Sequence, residues 1–405
     1  MECSVCMQEG SKEVIIIFPD NWLGYSPTVI NISKILSRQF HVTVISAGKE
    51  KSSTDIFGND ANITLRYIEA NSRFVKKAIP VLDRSLIFLI SIFLKIRVFD
   101  KGWIRELLVS YNFDNLYKVI KFRRKIKSIV KTGDILIGVD NIGILAATKF
   151  SSFAPVHMLS LEISKNLFYY LIKWSKIKSL IIQTKERKNY LLSKVVNAPN
   201  IFFIQNAPTL NHSLSDKKNV NNFRIVYLGN LAVEYNGLNH VVNSLEFLPS
   251  NYAIVFKGPY NERSDRYFKE NYAHLISAGR LCLDYEYVNN EDLIDYLDKF
   301  SIGITLYDID SLKYKSFNVI SCPSGKLFNY YNAGLPVIGN NILGLSSIRD
   351  FDCGVLIEEL SGKNIALAAA SIACNYDHFA ENSKRAAAFF DVEKGVNKFI
   401  EQELI

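Results

Sequence analysis

The stretch Cys322–Asn341, CPSGKLFNYYNAGLPVIGNN, runs from a Pro-Ser-Gly turn into a short aromatic-rich helix, stops at Ala-Gly-Leu-Pro and enters an apolar Val-Ile run. It reads as one helix-to-strand step of an alternating fold: Ser324 suits an N-cap for a helix starting near Lys326, Gly334 suits its stop, and Pro336 leads into a strand. A turn built from Pro323, Ser324 and Gly325 can leave backbone N–H groups at the mouth of the helix, where they and the dipole attract phosphate. Lys326 adds a point charge beside them. From this segment alone, an ordinary turn followed by an exposed lysine is an equal reading.

Outward from it, short β-branched runs recur, each followed by a turn and a helical stretch, the rhythm of parallel strands joined by crossover helices. In the first half they are VIIIF (Val14), HVTVIS (His41), ITLRYIE (Ile63), DILIGVD (Asp134), PVHMLSL (Pro155), SLIIQT (Ser179) and IFFIQNAP (Ile201). The polar stretch Thr209–Asn222, TLNHSLSDKKNVNN, has no apolar periodicity and reads as a linker. The rhythm then restarts with RIVYLGN (Arg224), YAIVFKG (Tyr252), LCLDYEYV (Leu281), SIGITLY (Ser301), LPVIGNN (Leu335) and CGVLIEE (Cys353), before an Ala-rich tail of two or three helices. The expectation is two doubly wound α/β domains facing across a cleft, with ligands at the carboxyl ends of the strands. Their expected bounds are residues 1–208 and 223–385, with a linker at 209–222 and a C-terminal helix in 386–405 that packs back on the first domain.

Composition agrees with two globular cores. The chain has 405 residues, 48% hydrophobic and 22% charged, enough apolar content to exclude a long disordered protein. Its net charge of +8 suits an anionic ligand or membrane surface, and equally a plain solvated exterior. Six scattered cysteines make neither a disulfide framework nor a zinc site; Cys3 and Cys6 form a lone CxxC in a polar N-terminal tail. Without a basic-then-apolar leader, a reducing cytoplasm is the expected setting. The apolar run within Ala78–Phe99 is bracketed by Asp83, Arg84, Lys95 and Arg97, and is shorter than the ~20 residues a spanning helix needs. It reads as a packed helix, or as one lying at a membrane interface.

Two further glycine-bearing strand ends share an edge with the opening segment. In YLGNLAVEYNGLNHVV, Gly229 follows a strand and Gly237 precedes a helix; in VFKGPYNE, Lys257 and Gly258 end another. Backbone at these glycines can approach a diphosphate closely, and two of the three elements carry lysine.

With these elements in view, the C-terminal half, roughly Arg224–Glu359, resembles the GT-B glycosyltransferases, especially the retaining family 4. The Gly turn followed by NGL is similar to that family's G-R-L…K-G-L element, Val288–Tyr307 to its e-d-l…y-l…a-d-i stretch, and SGKLFNYYNAGLPVIGNN to its K-L-x-E-Y-M-A-x-G-x-P-V-I signature. FFIQNAP stands where the family has V-I-P-N-G-V. The resemblance implies transfer of a sugar from a nucleotide-sugar, without a metal, to a saccharide or lipid-linked saccharide in O-antigen, capsule or exopolysaccharide synthesis, at the inner membrane face and with retention of configuration. It implies donor contacts from Gly229, Asn230, Asn236, Gly237, Lys257, Gly258, Tyr287, Val288, Ser324, Gly325, Lys326 and Asn329. Departures are specific: Asn230 and Asn236 replace the family's Arg and Lys, and Ser321 and Asn329 replace its paired glutamates. Either Lys326 and Lys257 supply the positive charge, or donor binding is altered or lost.

On the acceptor side, Gly24 and Tyr25 in PDNWLGYSPT lie where the family has a glycine-containing acceptor loop, and a plain βα loop is the alternative. Glu162 in LSLEISKN ends a strand and can orient or deprotonate an acceptor hydroxyl, or simply cap a helix. Glu162 and Lys326 are the expected catalytic pair. His41 starts a strand and His157 sits inside one, and Asp308 and Asp310 end another; none makes a metal cluster. The rivals are a non-catalytic relative that binds sugars or a partner enzyme, and a nucleotide-sugar 2-epimerase of the same fold.

Overall fold

A computed structural model describes residues 12–48, 56–58, 60–68, 113–210, 223–232, 236–289, 292–309 and 317–405. Cys3, Cys6, the apolar run of Ala78–Phe99, most of the expected linker and Asp310 lie outside the described residues. The chain divides into two units, residues 1–204 with 393–405, and residues 205–392.

The first unit is built on a sheet of seven described strands, all parallel, in the order β3-β2-β1-β4-β5-β6-β7. They are β1 (Glu13–Phe18), β2 (His41–Ser46), β3 (Ile63–Tyr67), β4 (Ile135–Val139), β5 (Val156–Ser160), β6 (Ser179–Ile182) and β7 (Asn200–Phe203). The central strands β1, β4 and β5 are buried almost throughout, which is why they read as unbroken apolar runs and not as alternating ones. Helices Pro27–Leu36, Phe113–Lys127 and Asp140–Ala147 are among those joining them. The strand order reverses between β1 and β4, the switch point at which sheets of this kind open a crevice.

His157, inside β5, belongs to the core. Its Nδ1 lies 2.6 Å from Ser179 Oγ, its ring meets Phe399 edge-on, and burial pushes its pKa down to about 3, so it stays neutral. Phe399 belongs to the terminal helix Val392–Glu403, which also packs on Phe202 and donates no strand of its own. Asn200 to Glu403 (2.7 Å) and Lys12 to the Leu404 carbonyl (3.2 Å) fasten this helix to the first unit's sheet.

The second unit holds six described parallel strands in the order β10-β9-β8-β11-β12-β13. They are β8 (Phe223–Leu228), β9 (Tyr252–Lys257), β10 (Leu281–Asp284), β11 (Ile302–Thr305), β12 (Val337–Asn340) and β13 (Gly354–Ile357). Each of the thirteen runs expected from the sequence is a strand. The tail resolves into three helices, Gly362–Cys374, Tyr376–Phe389 and Val392–Glu403. Here the order reverses between β8 and β11, and the Gly325–Asn332 helix lies over that junction. Tyr330 pins it there: the fully buried phenol accepts from the Leu228 amide (2.9 Å) and lies within bonding distance of the Val226 and Ile304 carbonyls. A methyl at position 303 would sit 2.4 Å from the Tyr330 ring, so only glycine lets the helix settle this deeply.

Candidate functional site

In the second unit the site assembles around the amino end of the Gly325–Asn332 helix. Ser324 occupies the N-cap position, but its hydroxyl makes no capping bond; it pairs with the Tyr307 phenol instead. The expectation of a side-chain cap is therefore corrected, and the first-turn amides are left to other partners. Those of Gly325 and Lys326 make no hydrogen bond among the described residues. Asn206 stands beside this turn, its amide nitrogen 2.9 Å from where a methyl on Gly325 would lie.

The Lys326 side chain reaches back over the sheet edge. Its Nζ sits 4.0 Å from the centroid of the Tyr227 ring and 3.4 Å from where a methyl on Gly229 would be. Tyr227 is held in turn by donating to the Asn230 carbonyl (3.1 Å). Among the described residues no carboxylate pairs with Lys326. The half-buried side chain is enclosed by protein, and desolvation lowers its pKa from 10.5 to about 7. An ammonium stabilised mainly by an aromatic face, on the first turn of a helix with two open amides, is suited to receive an oxyanion.

The other residues expected on this edge fall into distinct roles. Gly229 (φ 124°) and Gly258 pack backbone to backbone, since a methyl on Gly258 would come within 2.0 Å of the Gly229 carbonyl oxygen. Asn230 and Asn236 fold their own loop: Asn236 donates to the carbonyls of Asn230 and Ala232, and the Asn230 side chain accepts from the Ala232 amide. Gly237 (φ 59°) lies under Leu360, where a methyl would be 2.7 Å from Cδ2. Lys257, only 7% exposed, spends its charge on Asp284 at 2.6 Å, a carboxylate that also accepts from the Tyr296 phenol. The expected second free cation is thus neutralised within the fold. Asn329 is half-buried one turn along the helix, Tyr287 is 87% exposed after β10, and Val288 is half-buried beside it. Sequence reasoning missed Tyr227 and Asn340, whose side-chain amide bonds both the amide and the carbonyl of Tyr307 (3.1 Å each) and so fixes the turn after β11.

In the first unit, the carboxyl ends of β1, β4 and β5 bring together Asp20, Asp140 and Glu162. Asp140 follows β4 directly with a left-handed backbone (φ 50°), and its Oδ1 accepts from the amides of Leu161 (2.7 Å) and Glu162 (3.0 Å). The turn is tight because the next helix lies hard against the sheet: a methyl on Gly143 would stand 2.5 Å from the Ile17 carbonyl oxygen. Desolvation above all raises the Asp140 pKa to about 7; the two amides oppose this, while Glu162 and Asp20 add to it. Asp20 is raised too, by burial first, with Lys118 opposing and Glu162 reinforcing. Glu162 itself is exposed. Gly24 and Tyr25 lie in the one-turn helix Leu23–Tyr25 just past Asp20. The arrangement places a carboxyl of raised pKa at the switch point, with the expected Glu162 as its neighbour. The sequence signal for Asp140 is the lone Asp between the apolar run ILIGV and the helix that follows.

No protein-family model matches the chain, and no curated protein matches it in sequence. Solved structures do match in shape. A glycosyltransferase from Rickettsia africae superposes with a TM-score of 0.63 at 14% identity, over 97% of each chain. HepE from Anabaena, in complex with UDP, gives 0.62 at 11% identity over 97% of this chain and 99% of its own. The trehalose 6-phosphate synthase of Burkholderia multivorans gives 0.62 at 9% identity over 96% and 98%. At such identities the likeness establishes architecture, and the chain has the two-domain Rossmann-like fold of the GT-B glycosyltransferases.

Proposed function

We propose that this protein is a glycosyltransferase whose second unit binds a nucleoside diphosphate sugar and whose first unit receives the acceptor hydroxyl. The observation that carries the reading is the Lys326 ammonium, without a carboxylate partner among the described residues and set over Tyr227 at Gly229, on a helix whose first amides, those of Gly325 and Lys326, make no hydrogen bond among the described residues. Leaving-group charge on a diphosphate is the main electrostatic demand of glycosyl transfer from such donors, and fixed donors at that point meet it. Uridine diphosphate is the first nucleotide to test, because HepE, of similar fold, has been solved with UDP and with UDP-glucose.

On the acceptor side, a saccharide or lipid-linked saccharide of a surface polysaccharide fits the resemblance. Retention, which that resemblance implies, needs no protein base if the departing diphosphate oxygen takes the acceptor proton. Asp140 favours a second route, direct displacement with inversion, in which its carboxylate takes the acceptor proton as the glycosidic bond forms and the diphosphate leaves. Titration with UDP, followed by turnover of a panel of UDP-sugars with the product anomer read by NMR, tests both parts. Tight binding without turnover would support instead the non-catalytic relative.

A further inference from the structure

The crossover from β5 to β6 carries a surface that neither the donor nor the acceptor reading uses. Tyr170 and Leu171, at the end of the short helix Leu167–Tyr170, are 55% and 58% exposed, and Val196 in the loop before β7 is 95% exposed. Between them a groove of about 370 Å³ is lined by Tyr169, Trp174 and Val195, among others. From residue 163 to residue 178, the last before β6, the chain holds four lysines and no acidic residue. Lys165 is committed, lying over the Tyr190 ring and donating to Ser193. Lys173, Lys176 and Lys178 are exposed on the same crossover, and Lys194 is exposed in the groove's lining.

We propose that this surface docks the protein on an anionic lipid bilayer. An ordinary solvated face mixes both signs of charge, and a face meant for water alone does not project tyrosine, leucine and valine from it. Aromatic and aliphatic tips flanked by exposed lysines, with Glu403 at this end bonded to Asn200, match the two layers of a membrane interface: the tips enter the acyl boundary while the lysine stems extend along it and set their ammonium groups against headgroup phosphates. Charge complementarity selects an anionic bilayer over a neutral one.

Topology makes the contact compatible with activity at the other end of the sheet. The Lys178 amide bonds the Val156 carbonyl at the start of β5, and the Asn200 amide bonds the Lys178 carbonyl at the start of β7. The end of the crossover at Lys178 and the chain entering β7 at Asn200 therefore lie at the amino ends of the strands, whereas Asp20, Asp140 and Glu162 follow the carboxyl ends. Docking at Lys178 leaves those carboxylates at the opposite end of the sheet from the bilayer. The inference is independent of the proposed reaction.

Co-sedimentation of the full chain tests it, with vesicles of phosphatidylcholine alone and of equal parts phosphatidylcholine and phosphatidylglycerol. The wild type is expected to pellet with the mixed vesicles only and to be released by high salt. The paired variant Tyr170→Ser/Leu171→Ser and the charge-reversed Lys173→Glu/Lys176→Glu should each lower partitioning by about tenfold or more, with unchanged thermal unfolding, since all four positions are exposed. Wild type that stays in solution with the mixed vesicles, or variants that pellet as the wild type does, would overturn the proposal.

Discussion

The Lys326 ammonium lies 4.0 Å from the centre of the Tyr227 ring, and among the described residues it has no carboxylate partner. A lysine in that position is costly to keep charged until an anion arrives. Its lowered pKa, about 7 against an ordinary 10.5, expresses this cost. Between those two values the unfolded chain holds a proton that the folded chain has released, so stability rises with pH across the window from about 7 to 10.5. The variant Lys326→Met should lose that rise and be the more stable protein at pH 6. Thermal unfolding from pH 6 to 10, without nucleotide, measures it.

Lys257 provides the contrast. It stands directly across from Asp284 in the β9–β10 register, and the two form a 2.6 Å ion pair that is largely buried. Removing the lysine leaves the carboxylate without its partner, so Lys257→Met is expected to destabilise the fold by about 3 kcal/mol. Nucleotide affinity, measured below the unfolding transition, should change by less than about threefold, or about 0.7 kcal/mol. A large affinity loss with little destabilisation would assign Lys257 to the ligand.

Asp140→Asn separates charge from geometry, because asparagine tolerates the left-handed backbone and still offers an oxygen to the Leu161 and Glu162 amides. If Asp140 takes the acceptor proton, kcat should fall by about 10²–10⁴-fold with KM little changed. Stability should move the other way. With a folded pKa near 7 and an ordinary value of 3.8, the folded state binds the extra proton in that window, and the wild type loses stability as pH rises through it. The asparagine variant should therefore have the higher Tm at pH 8, with the difference closing toward pH 4.

The strands were legible in the sequence because parallel strands buried on both faces leave uninterrupted apolar runs, as in Val14–Phe18 and Ile135–Val139. The helix mouth at Ser324–Lys326 was legible as well, since a turn, a glycine and a lysine are local. What local pattern could not show is pairing between distant strand ends. Lys257 looked available until β10 brought Asp284 beside it. Asp140 drew no attention in the sequence and stands out only once β1 and β5 set Asp20 and Glu162 next to it. The hydroxyl of Ser324 likewise turned from capping to Tyr307, a partner from another strand end.

The most direct test of the account is calorimetric titration of UDP into the wild type and into Lys326→Ala near pH 6.5. The account predicts saturable one-to-one binding that weakens by roughly 10- to 100-fold in the variant, the loss of about 1.5–3 kcal/mol expected for a charge-assisted contact, while the far-ultraviolet spectrum and unfolding transition show the variant still folded. Equal affinity in the two proteins, or no heat of binding from UDP and from the other nucleoside diphosphates in the wild type, would contradict it.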